Sequence, residues 1–397
     1  MGKFGKVLLL TQSLIAQDEL FYHRGSWIEI DREAFNHNVK ATRLLIGNKK
    51  YLSAVLKANG CGHGLFQMAQ LCEENDGVNY LLTFLLSDAL FLRQQGIKKP
   101  ILVLGCYDAP ISEAIKQNID LFVYDWGVAR KICSFAEKLK KKARVHLKVD
   151  TGMARLGFLP HEVKAVAHFF KSNDHINLVG FCSHFAGVSC GIAYAQKQLR
   201  IFKKLLEGLK KEGITFQLTH IASTSSVLAF PEAYECTNMV RCGGLIYGLY
   251  KDALLLSAAQ MREAAFSLKP IIRWKSKVLT LKTIPKGSYI GYGNTFLTQR
   301  ETKTAIVPIG FYDGYYRRLS NCGHMMINGR LVPIIGRIAM NTVTLDVTDL
   351  PGVVVGSEVL IVGQEEGVRP RDLALQLKVI DYETMQSIDP KIPRIIV

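Results

Sequence analysis

Several side chains able to do acid–base or anion-binding chemistry stand directly after short apolar runs. Ala54-Val55-Leu56-Lys57 leads into Ala58-Asn59-Gly60-Cys61-Gly62-His63-Gly64. A lysine that ends an apolar strand is expected to be partly desolvated, which lowers its pKa and suits Schiff-base or proton-transfer chemistry. The plainer alternative is a lysine snorkelling out of a strand end. The glycine spacing after it, G-x-G-x-G, is not a dinucleotide fingerprint. His146-Leu147-Lys148-Val149-Asp150 runs on through Thr151-Gly152-Met153-Ala154-Arg155, which brings Lys148, Asp150 and Arg155 close together. Arg155 has the forked geometry that binds a carboxylate, and an ion-pair network is the alternative. Ser183-His184-Phe185 and His220-Ile221-Ala222-Ser223-Thr224-Ser225-Ser226 end two further runs, and Arg241-Cys242-Gly243-Gly244 ends a third. A single histidine is more often structural than catalytic, and the hydroxyl run 223–226 would equally cap a helix. Taken together, a reactive lysine, a hydroxyl and Gly-Gly cradle for a phosphate, and a strand-end arginine on one face point to pyridoxal 5'-phosphate.

Those residues need a scaffold that gathers strand ends. Strand candidates fall near 53–56, 80–83, 101–104, 121–124, 145–149, 178–183, 217–221 and 239–241, with helical patterns between them. Alternating strand and helix implies parallel βα units, and eight such units in this length fit a (β/α)8 barrel, whose sites lie at the carboxyl ends of the strands. The helices carry the matching pattern. Leu199, Phe202, Leu206 and Leu209 form one apolar stripe, with Lys203, Lys204, Lys210 and Lys211 off it and Gly213 as a stop. Lys138, Lys140, Lys141 and Lys142 crowd the end of another helix, where cations favour the dipole. After about residue 262 the texture turns to strand alternation and short turns. Ile272-Arg273-Trp274-Lys275-Ser276-Lys277-Val278 alternates, and Asn328-Gly329 is a strong hairpin signal. The expected division is an extension over 1–25, the barrel over 26–262 and a mostly-β domain over 263–397, with the boundary near 255–265.

Composition narrows the class. The chain has 397 residues, 48% hydrophobic and 21% charged, which excludes a mainly disordered protein and a small disulfide scaffold. No apolar stretch is long enough for a membrane-spanning helix. Nine cysteines, at 61, 72, 106, 133, 182, 190, 236, 242 and 322, include no C-x-x-C pair. They read as reduced, mostly buried thiols of a cytoplasmic protein, and no metal site is expected. The first residues, with Lys3 and Lys6 before Val7-Leu8-Leu9-Leu10, resemble a signal peptide, but Thr11-Gln12-Ser13 interrupt the run early. They are read as a retained extension. The net charge of +16 raises a nucleic-acid or membrane-surface reading. No nucleic-acid-binding motif accompanies it, so the excess is read as lysines on outer helices.

The same motifs, in order, resemble those of the pyridoxal-phosphate-dependent alanine racemases. The likeness is carried by residues 54–64 and 147–157, by Ile290-Gly291-Tyr292-Gly293-Asn294-Thr295-Phe296 and by 307–315, then by Gly336-Arg337-Ile338-Ala339-Met340-Asn341 and Asp381-Tyr382-Glu383-Thr384. It runs from about Trp27 to the C-terminus. The resemblance implies a homodimer in which each active site is completed by the partner, and interconversion of L- and D-alanine by two bases on opposite faces. It implies that Lys57 holds the cofactor and is one base, and that Tyr292 of the other subunit is the second. It places Arg241 at the pyridine nitrogen, supported by His220, with His184 beside the ring. Thr224, Gly243, Gly244 and Tyr382 would contact the phosphate, and Arg155 with the Met340 backbone the substrate carboxylate. Lys148 matches a position that is carbamylated in many relatives. The product would serve peptidoglycan synthesis.

Four positions depart from the family pattern. Cys61 stands where a phosphate-contacting Tyr is usual, Ser223-Thr224 where Asn-Ser is, Gly244 for a bulkier apolar residue, and Asn341 for an Asp near the substrate entrance. These bear on cofactor affinity and substrate range. The competing readings are a broader amino-acid racemase acting on serine or lysine, a non-catalytic pyridoxal-phosphate-binding protein, and a nucleic-acid binder.

Overall fold

Strands of this chain that are apolar on both faces end up between two apolar layers. The computed structural model describes residues 25–188, 191–250 and 267–397. Among the described residues there are seventeen strands. They are β1 (Ser26–Ile30), β2 (Tyr51–Val55), β3 (Tyr80–Leu85), β4 (Ile101–Cys106), β5 (Asp120–Val123), β6 (Ala143–Lys148), β7 (Ile176–Cys182), β8 (Leu218–His220) and β9 (Met239–Cys242), then β10 (Ile272–Lys277), β11 (Thr280–Ile284), β12 (Thr302–Val307), β13 (His324–Ile327), β14 (Arg330–Pro333), β15 (Val343–Asp346), β16 (Glu358–Val362) and β17 (Arg394–Ile396).

β2 to β9 form one parallel sheet in the order β8-β7-β6-β5-β4-β3-β2-β9. Its two edges meet through Asn238 N–H to Thr219 O at 3.2 Å and Arg241 N–H to Ala222 O at 3.1 Å, which closes the ring. The eight strands are those expected for a (β/α)8 barrel. Side chains alternate inward and outward. Tyr80, Leu82, Leu102, Phe122, Val179, Leu218 and Met239 fill the interior. Leu81, Ile101, Val103, Leu121, Val145 and Leu147 pack outward against the helices. The helix Ile192–Lys211 buries Leu199, Phe202 and Leu209 and leaves Lys203, Lys204, Lys210 and Lys211 exposed. Gly213 follows at φ +70°, a conformation that favours glycine after a helix.

A mostly-β unit follows. β14-β13-β16-β10-β1-β17 form a six-stranded sheet and β11-β12-β15 a three-stranded one. Asn328 and Gly329, both at positive φ, make the two-residue turn that pairs Ile327 with Arg330. β1 does not join the barrel. It pairs antiparallel with β10 and parallel with β17, so the second domain takes its fifth strand from the start of the described chain. Trp27 and Trp274 are buried in that sheet. Residues 1–24 and the boundary read near 255–265 lie outside the described residues, as does Cys190. The other eight cysteines are free thiols.

Candidate active site

The carboxyl ends of the barrel strands surround a cavity of about 1000 Å³. Its lining includes Lys57, Cys61, Lys148, Arg155, His184, Thr224, Arg241, Gly243 and Tyr382. These residues come from five separate strand ends and from the second domain, which the fold therefore brings together. His220 stands behind this wall, buried and bonded to Arg241.

Arg241 is the fixed point. Strand β9 carries it into the barrel mouth, where it is buried. Nη1 donates to His220 Nδ1 at 2.6 Å, and Nη2 donates to Ser183 O at 2.8 Å, His184 Nδ1 at 3.0 Å and Ile221 O at 3.2 Å. Every one of these acceptors is a carbonyl or an imidazole. Arg241 has no carboxylate partner among the described residues. Burial, then the charge of Arg241, holds His184 and His220 well below the usual histidine range, so both rings are neutral acceptors.

The lysines reverse the expectation drawn from their positions. Lys57 lies just past the end of β2 and opens a turn in which Ala58, Asn59, Gly60 and Cys61 all have positive φ. That turn carries it to the rim, where it is exposed rather than desolvated. The buried amine is Lys148, the last residue of β6, which points inward with Nζ 5.7 Å from the centre of the Phe122 ring. Burial, with the charges of Arg241 and Arg155 adding to it, pushes Lys148 down from 10.5 to about 8. The ion-pair reading of Asp150 also changes. Its carboxylate accepts from the backbone N–H groups of Gly152, Met153 and Arg155 at 2.8, 2.7 and 3.0 Å, so it shapes the loop that presents Arg155. Arg155 itself is exposed on that loop.

Opposite the lysines lies a small polar cradle. Ser226 Oγ accepts from Ser223 N–H at 2.7 Å, so these two residues start the helix Thr224–Ala229. Ser223, Thr224 and Ser225 line the cavity, and Thr224 Oγ1 accepts from Gly243 N–H at 3.2 Å. A Cβ on Gly243 would lie 3.1 Å from the Tyr382 hydroxyl, and one on Gly244 2.7 Å from it. A side chain at Gly243 would crowd the space beside Thr224 and Tyr382, whereas Gly244 does not line the cavity and a Cβ there would first meet Leu249 O at 2.4 Å. Cys61 is buried beside this cradle, its thiol pushed up to about 11 by burial.

Two expected site residues lie elsewhere. Tyr292 is 70% exposed and Met340 63% exposed, both in the second domain, and neither lines the cavity of its own chain. Tyr292 opens a one-turn 3-10 helix, Tyr292–Asn294, and stands between Gly291 and Gly293, both at positive φ. The sequence reading missed Phe122 over Lys148 and the Ser183 carbonyl on Arg241. It also missed His146 and Asp120, which lie behind His220. His146 was open to inference, because it is two residues before Lys148 on a strand and so shares its face. Asp120 carries no such signal.

Comparison with known proteins agrees along the whole described chain. The model of the alanine racemase N-terminal domain matches residues 30–251, and that of the C-terminal domain matches residues 271–396. Alanine racemase 2 of Caldanaerobacter subterraneus subsp. tengcongensis is 34% identical over 380 residues, covering 94% of this chain and 95% of that protein. Alanine racemase of Leptospira interrogans serogroup Icterohaemorrhagiae serovar copenhageni is 37% identical over 383 residues, covering 94% and 96%. The solved structure of alanine racemase from Clostridium difficile 630 superposes with a TM-score of 0.86 at 30% identity, covering 94% of this chain and 95% of that one.

Proposed function

The chain belongs to the alanine racemase family, and from that premise we propose that the cavity at its barrel mouth interconverts L-alanine and D-alanine with pyridoxal 5'-phosphate. The observation that carries the proposal is Arg241, a buried cation held only by neutral acceptors and facing a cavity that also holds a lysine and a glycine-hydroxyl cradle. The cradle fits the cofactor's phosphate. Thr224 and Tyr382 offer hydroxyls and Gly243 and Gly244 offer N–H groups, with no Cβ in the way. Arg241 suits an unprotonated ring nitrogen, because a guanidinium can only donate.

When bound, the cofactor supplies an electron sink that acidifies the α-proton of an amino acid joined to it. Lys57 would hold the cofactor through Nζ. Lys57 also carries a proton at Nζ on one face. Tyr292 of a second copy carries one at Oη on the other face, since its own cavity lies out of reach. Bases on opposite faces are what inversion of a stereocentre needs. Arg155 holds the substrate carboxylate, and the backbone of the second copy's Met340 lies against it. Exposed Tyr292, Phe311, Tyr312 and Met340 on the second domain support a homodimer with shared sites. Lys148 near 8 has a neutral fraction at physiological pH. Carbon dioxide adding at its Nζ, with loss of a proton, would give an anion that orients Arg155.

Among the described residues no helix is long and apolar enough to cross a membrane. The proposed role extends to a cytoplasmic enzyme that supplies D-alanine for peptidoglycan. The test is incubation of purified protein with pyridoxal phosphate and L-alanine, L-serine or L-lysine, followed by chiral detection. D-alanine as the fastest product supports the reading. Faster turnover of serine or lysine, or no racemisation, refutes it.

A further inference from the structure

Behind Arg241 the barrel interior holds a row of polar side chains to which the proposed reaction gives no step. Arg241 Nη1 is 2.6 Å from His220 Nδ1. His220 Nε2 is 2.9 Å from His146 Nδ1, and His146 Nε2 is 3.0 Å from Asp120 Oδ2. All four residues are buried. Asp120 is held in turn by the Tyr80 hydroxyl at 2.5 Å and by Arg144, whose Nε lies 2.5 Å from Oδ1 and Nη2 3.2 Å from Oδ2. Asp120 and Tyr80 are the first residues of β5 and β3. The row therefore crosses the barrel from its mouth to its amino-terminal floor.

Hydrogen-bond chemistry allows this row one proton order. A guanidinium has no acceptor, so His220 Nδ1 must accept. A neutral His220 then carries its proton on Nε2 and donates to His146 Nδ1. His146 must carry its proton on Nε2 and donate to Asp120, which as a carboxylate can only accept. Arginine at one end and carboxylate at the other impose the same direction. Burial and the charge of Arg241 keep His220 neutral, and for Asp120 the bonds from His146 and Arg144 more than offset burial, which keeps it ionised. Room for the row is built in. His146 pairs with Gly180 of β7, where a Cβ would lie closer than 3.0 Å to His146 Nδ1.

We propose that Asp120 and His146 are positioning residues that lock His220 in its Nε2–H form, so that His220 is an obligatory acceptor holding Arg241 toward the cofactor's ring nitrogen. The proposal rests on the assignment of Arg241 to that nitrogen. With the guanidinium fixed as donor, the nitrogen stays unprotonated, charge stays nearer the α-carbon, and the proton returns there. Without the order imposed by Asp120, His220 can turn an N–H toward Arg241 and displace it. The side reaction that then grows is alanine plus pyridoxal phosphate giving pyruvate plus pyridoxamine phosphate. In it the amino group moves to the cofactor and the α-carbon is oxidised as the cofactor's carbonyl carbon is reduced.

The experiment uses full-length holoenzyme labelled with 15N-histidine, with the rings of His146 and His220 assigned by H146Q and H220Q among the ten histidines. His220 should be neutral and Nε2-protonated between pH 6 and pH 8, and His146 should carry a proton on Nε2 toward Asp120. A charged or Nδ1-protonated His220 overturns the proposal without any catalytic readout. In Asp120→Asn the amide can donate or accept, so the His146 signal should become a mixture of tautomers. In that variant kcat should fall about 10-fold and pyruvate formed per racemisation turnover rise about 10-fold, with KM for alanine within about 2-fold. A folded Asp120→Asn enzyme with the wild-type pyruvate ratio overturns the proposal, and His146→Gln gives the same reading if Asp120→Asn does not fold. Arg241→Gln separates the two levels. An unchanged pyruvate ratio there would sink the placement of Arg241 at the ring nitrogen while leaving the tautomer result standing.

Discussion

Replacing Lys148 by methionine should make the protein more stable at neutral pH while lowering its activity. Lys148 is a buried ammonium whose nearest charges include two arginines, and its pKa falls from 10.5 to about 8. At about 1.4 kcal/mol per pH unit, that drop corresponds to about 3 kcal/mol by which the fold disfavours the charged amine. A lowered folded-state pKa on a base has a definite sign. Below about pH 8 the amine is charged in both states and the full cost is present. Between about 8 and 10.5 the unfolded chain holds one more proton than the folded one, so stability rises with pH. Methionine matches the length of the lysine stem and carries no charge to desolvate. Lys148→Met should therefore gain about 1–3 kcal/mol over wild type at pH 7, and the gap should close by about pH 10.5. The assay is urea unfolding at matched protein concentration in buffer free of carbon dioxide, repeated across that pH range. Added bicarbonate should stabilise wild type and leave the variant unchanged, because carbamylation removes the ammonium. A variant less stable than wild type at pH 7, or a gap independent of pH, would refute the reasoning.

Other perturbations reach separate parts of the site. Tyr292→Phe should reduce racemisation by at least about 100-fold while the absorbance of bound cofactor persists; unchanged turnover would remove Tyr292 from its assigned place. In Thr224→Val the Gly243 N–H loses its 3.2 Å acceptor. The hydroxyl proposed to contact the phosphate is lost as well, and a hydrogen bond to a charged group is worth about 1.5–3 kcal/mol, so the dissociation constant for pyridoxal phosphate, followed by fluorescence titration, should rise at least about 10-fold. Gly180→Ala places a methyl closer than 3.0 Å to the His146 ring. Overpacking there should cost at least about 1–3 kcal/mol, visible as a lowered thermal midpoint, and an unaltered midpoint would mean that the ring can move aside.

Much of this site could be read from residue order because a parallel barrel places strand ends together. Lys148, His184, His220 and Arg241 each end or follow an apolar run, and the fold turns that local fact into a shared cavity. What could not be read was exposure. Lys57 and Lys148 end similar strands, yet one is exposed and the other buried. The difference lies in a left-handed turn after Leu56 and in the Phe122 ring from a neighbouring strand, neither of which local periodicity encodes. The pairing of β1 was hidden for the same reason. Ser26–Ile30 is a plausible barrel strand by composition, but its partners are residues 272–276 and 394–396, far along the chain.

The sequence by itself determined the alternation of strands and helices, the stop at Gly213, the Asn328-Gly329 turn and the order of the reactive residues, because these follow from short-range backbone and side-chain preferences. The tertiary structure decided which lysine is desolvated, which hydroxyl of 223–226 meets the Gly243 N–H, and that Arg241 connects through two imidazoles to Asp120. Those outcomes depend on contacts between residues distant along the chain, and burial, unlike propensity, is a property of the packed whole.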